Sequence, residues 1–307
     1  FKMAKGETTL PAFVEIIKSQ LGFDSDKQGA LSAASLLAAH EGPWQLVWDR
    51  YCEAPLRYPH IPAQIEKTTP PMDMFADKSG WPQWNRQQEN ELRLALTRLQ
   101  QLSPAQARKT IVELDNMHGE RRTLVWTELG LSPLAQSLKW LKKLAEETKN
   151  SIAGGSVTDM ANTYQTVAWQ ADDAVIQALK LLEQQEDFDA VSIAIRSIYT
   201  DWAQDAARYL QALVQKSGYP APNAAQQKPL KYQKGETVFF VDGLRFDVGK
   251  RFAQTLEAKG YSVELSTQWS ALPSVTATAK PAVSPVAQLI SGVVGSDAFE
   301  PCVKETQ

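Results

Sequence analysis

Cysteine and histidine are scarce in this chain of 307 residues. The two cysteines, Cys52 and Cys302, stand near opposite ends and form no C-x-x-C pair. That argues against a disulfide framework and against a thiolate zinc site. Histidine occurs only as His40, His60 and His118, and never later in the chain. No stretch approaches the roughly 18 uninterrupted apolar residues of a membrane span. Phe1-Lys2-Met3-Ala4-Lys5-Gly6 leads into no signal-peptide core, so a cytoplasmic location and no membrane partner are expected. A net charge of −3 gives no global attraction to nucleic acid, although a local basic patch stays open. No fixed repeat period is present, so no named repeat family is indicated.

What the chain has in quantity is helical periodicity. Leu10, Phe13, Ile16, Ile17 and Leu21 recur at helical spacing, and Ser32–Ala39 is a second apolar run. His40-Glu41 matches the first half of H-E-x-x-H, but the fifth position is Trp44. Residues 51–85 are rich in Pro, Trp and Tyr, which excludes helix from most of the segment and suits a strap over a hydrophobic surface. Its aromatics alternate with Arg50, Arg57 and Lys67 and could stack on bases, but acidic residues follow closely; His60 reads as a packing or surface residue.

From Gln87 the helices become strong. Leu92, Leu96 and Leu99 share one face, and Ser103-Pro104-Ala105-Gln106 is a capping box with proline at the first helical position. Ile111, Leu114 and Met117 carry that helix to Gly119. Leu134, Leu138, Leu141 and Leu144 form a later stripe, off which Lys139, Lys142 and Lys143 read as a solvated face. Gly154-Gly155 lacks the Lys-Ser/Thr of a phosphate loop and reads as a helix stop. Helices through Val167, Val175, Leu179 and Leu182, and from about Asp189 to Lys216, complete an α-helical domain over 1–216. Residues 217–236 combine Gly, Pro and polar residues and read as a linker.

Beyond the linker the pattern changes. Thr237–Val241 is a short apolar, β-branched run ending at Asp242-Gly243, the pattern of a buried strand and a tight turn. Val248, Phe252 and Leu256 then share a helical face up to Gly260, and Tyr261–Ser266 alternates as a second strand. One βαβ unit is expected, with Asp242 on the carboxyl edge where open α/β sheets bind ligands. Leu272-Pro273-Ser274-Val275-Thr276-Ala277-Thr278 should return to that edge. A carboxylate joined by hydroxyls there suits a metal-activated alkoxide attacking phosphorus.

Val241-Asp242-Gly243-Leu244-Arg245-Phe246-Asp247 followed by Leu272–Thr278 resembles the start of a PglZ domain, a member of the alkaline phosphatase superfamily. The resemblance covers roughly 237–285. More weakly, His118–Trp126 and the following residues resemble the segment that precedes this domain in PglZ proteins of BREX phage-defence systems. The resemblance implies a helical array followed by the first βαβ part of a doubly wound α/β domain over 237–307. It implies Asp242 as metal ligand, Thr276 as nucleophile and metal ligand, Thr278 as the alternative nucleophile, and two zinc ions in the complete site. Arg245 and Lys280 are then candidates for substrate phosphate. The family's later Asp and His ligands have no counterpart in the sequence, so the chain is expected to be a fragment that is inactive alone.

Each residue also has a plainer role. Asp242 could cap the following helix, Asp247 is better placed as that cap, Arg245 could pair with Asp247, and Thr276 and Thr278 could pack in a strand. None of the three histidines has neighbours in sequence that suggest a Ser-His-Asp triad. The function implied is metal-dependent phosphodiester hydrolysis, of nuclease type, on DNA or nucleotides, with other BREX subunits as partners. Two alternatives stand beside it: an assembly scaffold without catalysis, and a phosphodiesterase acting on signalling nucleotides.

Overall fold

A computed structural model describes residues 10–303 except 74, 153, 221–233, 238, 285–286 and 292–301. Most of the 217–236 linker and most of the chain after Ile290 therefore lie outside the described residues. The helices are α1 (Leu10–Leu21), α2 (Ala30–Ala39), α3 (Trp44–Cys52), α4 (His60–Ile65), α5 (Pro82–Arg98), α6 (Pro104–His118), α7 (Val125–Glu128), α8 (Pro133–Glu147), α9 (Val157–Thr163), α10 (Trp169–Leu179), α11 (Gln185–Ser217), α12 (Phe246–Ala258) and α13 (Thr276–Val283). Among the described residues the only sheet is an antiparallel pair, β1 (Ile290–Ser291) with β2 (Cys302–Val303). No helix among them is long and apolar enough to cross a membrane. The chain divides into two units, one of residues 1–150 and 174–202, the other of residues 151–173 and 203–307.

In the first unit the expected helix signals operate. Ser103 accepts a hydrogen bond from the Gln106 amide, the Gln106 side chain reaches back to the Ser103 amide, and Pro104 sits where no amide hydrogen is needed. Leu134, Leu138, Leu141 and Leu144 of α8 are all fully buried, as are Leu92 and Leu96 of α5 and Ile111 of α6. Met117 is exposed, because the inward face of α6 runs through Ala107, Ile111, Leu114 and Asp115 to His118. Lys142 is not merely solvated: its ammonium lies 3.0 Å from Asp115.

The strap over 51–85 does cover an apolar surface. Tyr51, Ile65, Trp81 and Trp126 are buried in one cluster with Trp44 and Trp48. It also contains a helix where prolines argued against one. Pro62 lies in the first turn of α4, where its missing amide hydrogen has no helical partner to lose.

In the second unit the expected βαβ arrangement is not what forms. Residues 239–241 and 261–266 form no strand among the described residues, and Phe239, Phe240, Val241, Tyr261 and Leu265 are exposed. A strand is stable only when neighbours take up its backbone groups and one face is covered. The helix between them forms as expected. Its side chains meet the segment 164–173: Phe246 meets Tyr164, the Lys250 ammonium lies over the Trp169 ring, and Arg251 pairs with Asp173. Tyr164–Ala168, expected as ordinary helix, is wound as a π-helical turn. The buried residues of α10 are Trp169, Ala171, Asp173, Ala174, Gln177 and Ala178, whereas Val175 and Leu179, which set the sequence pattern, are only partly buried.

Candidate functional site

Asp242 and Gly243 form a turn, with Gly243 at φ 69°, a conformation that a side chain would strain. The turn delivers the chain into α12, whose N-cap position is Arg245 rather than Asp242. Asp242 is therefore not a helix cap. Its Oδ2 lies 2.8 Å from Lys280 Nζ, with both side chains about half exposed. Lys280 belongs to α13, which Thr276 opens as its first residue. Four residues make just over one helical turn, so Thr276 and Lys280 share a face. The Asp242–Lys280 pair thus ties the Asp242 turn to the helix that carries Thr276. The expected route was a shared sheet edge; the observed one is an ion pair between a turn and a helix.

The neighbouring candidates are otherwise engaged. Thr276 and Thr278 begin a helix and do not pack in a strand. Thr276 is exposed. Thr278 donates its hydroxyl to the Pro273 carbonyl and lies 3.1 Å from the Val275 carbonyl, which leaves it less free to attack a substrate. Arg245 Nε donates to Asp247 Oδ1 at 2.9 Å, so of its two readings the ion pair is the one observed. Asp247 lies in the first turn of α12 but is almost wholly buried, and its Oδ2 has no hydrogen-bond partner among the described residues.

Zinc chemistry makes a demand on the donor set. Catalytic zinc takes three protein ligands, and a two-metal site takes more. Among the described residues no three His, Cys, Asp or Glu side chains are grouped to hold a metal ion. Asp242 has an ammonium, not a set of fellow donors, as its observed partner. The described residues therefore do not fit the expected two-zinc site as a set.

The first unit holds two polar clusters that sequence spacing did not reveal. His40, in the left-handed region at φ 38°, places Nε2 3.3 Å from Ser79 Oγ and 3.6 Å from Asp77 Oδ2, and packs on Trp48. Ser, His and Asp thus meet after all, through residues 39 apart in sequence. They do not make a triad, because serine and aspartate both face the same imidazole nitrogen, whereas a triad aspartate takes the other one. His60 is exposed and borders an open apolar pocket of about 230 Å³ with Ala30, Ala34, Leu37 and Trp44, in keeping with the packing or surface role expected of it.

The second cluster is buried. Glu89 Oε1 lies 2.9 Å from Arg121 Nη1, and Glu89 also accepts from the amides of Leu134 and Ala135 at the start of α8. Asn85 bonds Arg121, Ser132 and the Leu131 carbonyl. Burial pushes the Glu89 carboxyl up, against the pull of Arg121 and the two amides. His118, one turn before Arg121, is held below its ordinary range by burial and then by the Arg121 charge. The one signal for this cluster lay in the polar faces of α5 and of the Gly119–Thr123 turn, where nothing marks a charge as internal. No protein-family model matches the chain, and neither a curated protein nor a solved structure matches it.

Proposed function

We propose that residues 237–284 form part of a PglZ-like phosphodiester hydrolase of the alkaline phosphatase superfamily, with Thr276 as its nucleophile. The observation that supports this reading is the Asp242–Lys280 ion pair. It brings the two separated halves of the resemblance, Val241–Asp247 and Leu272–Thr278, to one place. Thr276 stands exposed at the start of α13, and the positive end of a helix dipole favours negative charge. In the reaction the threonine oxygen would bond to phosphorus as the bond to one alkoxide breaks, the hydroxyl proton leaving with that alkoxide as the alcohol, and water would then release the remaining phosphate monoester and restore the threonine hydroxyl. Zinc is the cofactor the resemblance implies. The described donors do not complete its site. DNA, nucleotides or signalling nucleotides are the substrate classes, and subunits of a BREX-type defence assembly the partners.

The scaffold reading has one observation in its favour: a buried cluster that includes Trp44, Trp48, Trp81 and Trp126 is built wholly from the first unit, whereas Thr276 belongs to the second. Hydrolysis of bis-(p-nitrophenyl) phosphate by the native-length polypeptide, with divalent metal supplied, separates the two. Thr276→Ala should lower the rate by roughly three orders of magnitude or more, and Thr278→Ala by only a few fold. Full activity in Thr276→Ala would remove the nucleophile assignment. No activity in the unaltered protein on any diester would favour the scaffold.

A further inference from the structure

Two features of the first unit take no part in its own packing. Met72 and Phe75, on the strap between α4 and α5, are the most exposed large apolar side chains among the described residues, at 98% and 93%. Single apolar residues at a surface are ordinary, but two that are almost wholly bare on one short loop put a concentrated apolar knob into water. Pro70 and Pro71 restrict the start of that loop, and Asp73 Oδ1 accepts the Phe75 amide at 2.9 Å. The second feature is the open apolar pocket of about 230 Å³, walled by Ala33, Ala34 and Leu37 of α2, by Trp44, and by Ile61 of α4. A cavity of about 150 Å³ already holds a benzene ring, so a phenyl group fits.

The charges agree with the shapes. Ala30, at the edge of the pocket, is the first residue of α2, which opens at Gly29 with no side-chain cap and no acid in its first turn. A carboxylate is stabilised at such a helix start. Asp73 carries one, exposed, two residues before Phe75. The pocket of the same chain does not take the ring: Phe75 stands in water, while Asp77 and Ser79 just beyond it are held at His40, at the other end of α2.

We propose that the pocket receives Phe75 of a second copy of this chain, with Asp73 against the start of α2, and that two copies exchange these knobs about a two-fold axis. Knob and pocket lie on one unit, so reciprocal insertion closes the pair and uses both knobs. The interface is independent of the hydrolase reading, whose residues belong to the second unit.

Sedimentation velocity of the native-length polypeptide over a concentration series is the test. The unaltered protein should pass from monomer to dimer as concentration rises. Phe75→Ala should weaken the dimer by roughly a hundredfold, because each pair loses two buried rings. It should leave the urea midpoint unchanged, because the ring is exposed in the single chain. Ala33→Phe fills the pocket from a partly exposed position and should weaken the dimer to a similar degree. Mixed in equal amounts, the two variants should associate more tightly than either does alone, since one keeps an intact pocket and the other an intact knob. A monomer at every concentration would overturn the proposal. So would a mixture no tighter than its parts, a dimer that keeps its affinity in both variants, or one abolished by Phe252→Ser on the exposed side of α12.

Discussion

Removing either half of the buried Glu89–Arg121 pair should be costly, and the two losses should be unequal. Both side chains are more than nine-tenths buried. Arg121→Met leaves Glu89 with two backbone amides and with a carboxyl that burial has already pushed up, so the lone acid can take a proton. We expect a cost of about 3 kcal/mol. Glu89→Met leaves a guanidinium that cannot shed its charge, already with two nitrogens unpartnered among the described residues, and it strips the start of α8 of its acceptor. That change should cost about 4–5 kcal/mol. The double variant should cost only about 1–2 kcal/mol, because no charge is left behind and Asn85 keeps Ser132 and Leu131 as partners.

Urea titration followed by tryptophan fluorescence, with midpoints compared at unchanged slope, reads all three values. The pH dependence supplies a second check with a defined sign. Glu89 has its folded pKa raised above the ordinary glutamate value of 4.5, so the folded state holds the extra proton. Its contribution is therefore favourable in acid and falls as pH rises through the folded value. Arg121→Met should consequently be less damaging near pH 5 than near pH 8. Additive losses in the double variant, or a larger cost for Arg121→Met than for Glu89→Met, would refute the argument.

Two further outcomes follow from the same unit. His118 has its folded pKa lowered below the ordinary value of 6.5 by burial and by Arg121, so the unfolded state binds the extra proton; stability should fall as pH drops below about 6.5, and His118→Gln should flatten that slope in urea midpoints taken from pH 7.5 to 5. Gly80→Ala should destabilise by about 3 kcal/mol or more in the same assay, because the added carbon would lie 2.1 Å from the Ala38 carbonyl oxygen, a backbone atom with no rotamer to escape into. A cost below about 1 kcal/mol would mean that the turn before α5 lies farther from α2.

The helices of the first unit were legible because their signals are local. A capping box, a proline at the first helical position and a leucine every third or fourth residue act within one or two turns, and α5, α6 and α8 follow them. The short helix α4 was missed because proline was read by its usual effect and not by its place in the turn. The polar clusters were missed for another reason. His40 meets Ser79, and Glu89 meets Arg121, only after helices have packed, and nothing local says that a glutamate on a polar-looking helix faces inward.

The region after residue 236 divides along the same line. Helix α12 was legible because its hydrogen bonds are internal to the segment and its turns set the spacing of Phe246, Lys250 and Arg251 against 164–173. Phe239–Val241 and Tyr261–Ser266 have the composition of strands, but a strand's hydrogen bonds belong to its neighbours, and among the described residues none is offered. Composition states what a segment would do in a sheet, and only the rest of the fold supplies one. The same distinction applies to the site. Asp242 and Thr276 were singled out by motif, and a sheet edge was expected to join them. What joins their segments is Lys280, through an ion pair that needs no sheet. Among the described residues, the contact seen between the Asp242 turn and α13 is this half-exposed ion pair, worth about 1 kcal/mol or less. A contact that weak holds the turn against α13 only loosely, so Lys280→Ala should leave the global stability within about 0.5 kcal/mol of the unaltered protein in urea midpoints, and a larger loss would mean that the pair carries more than its exposure allows.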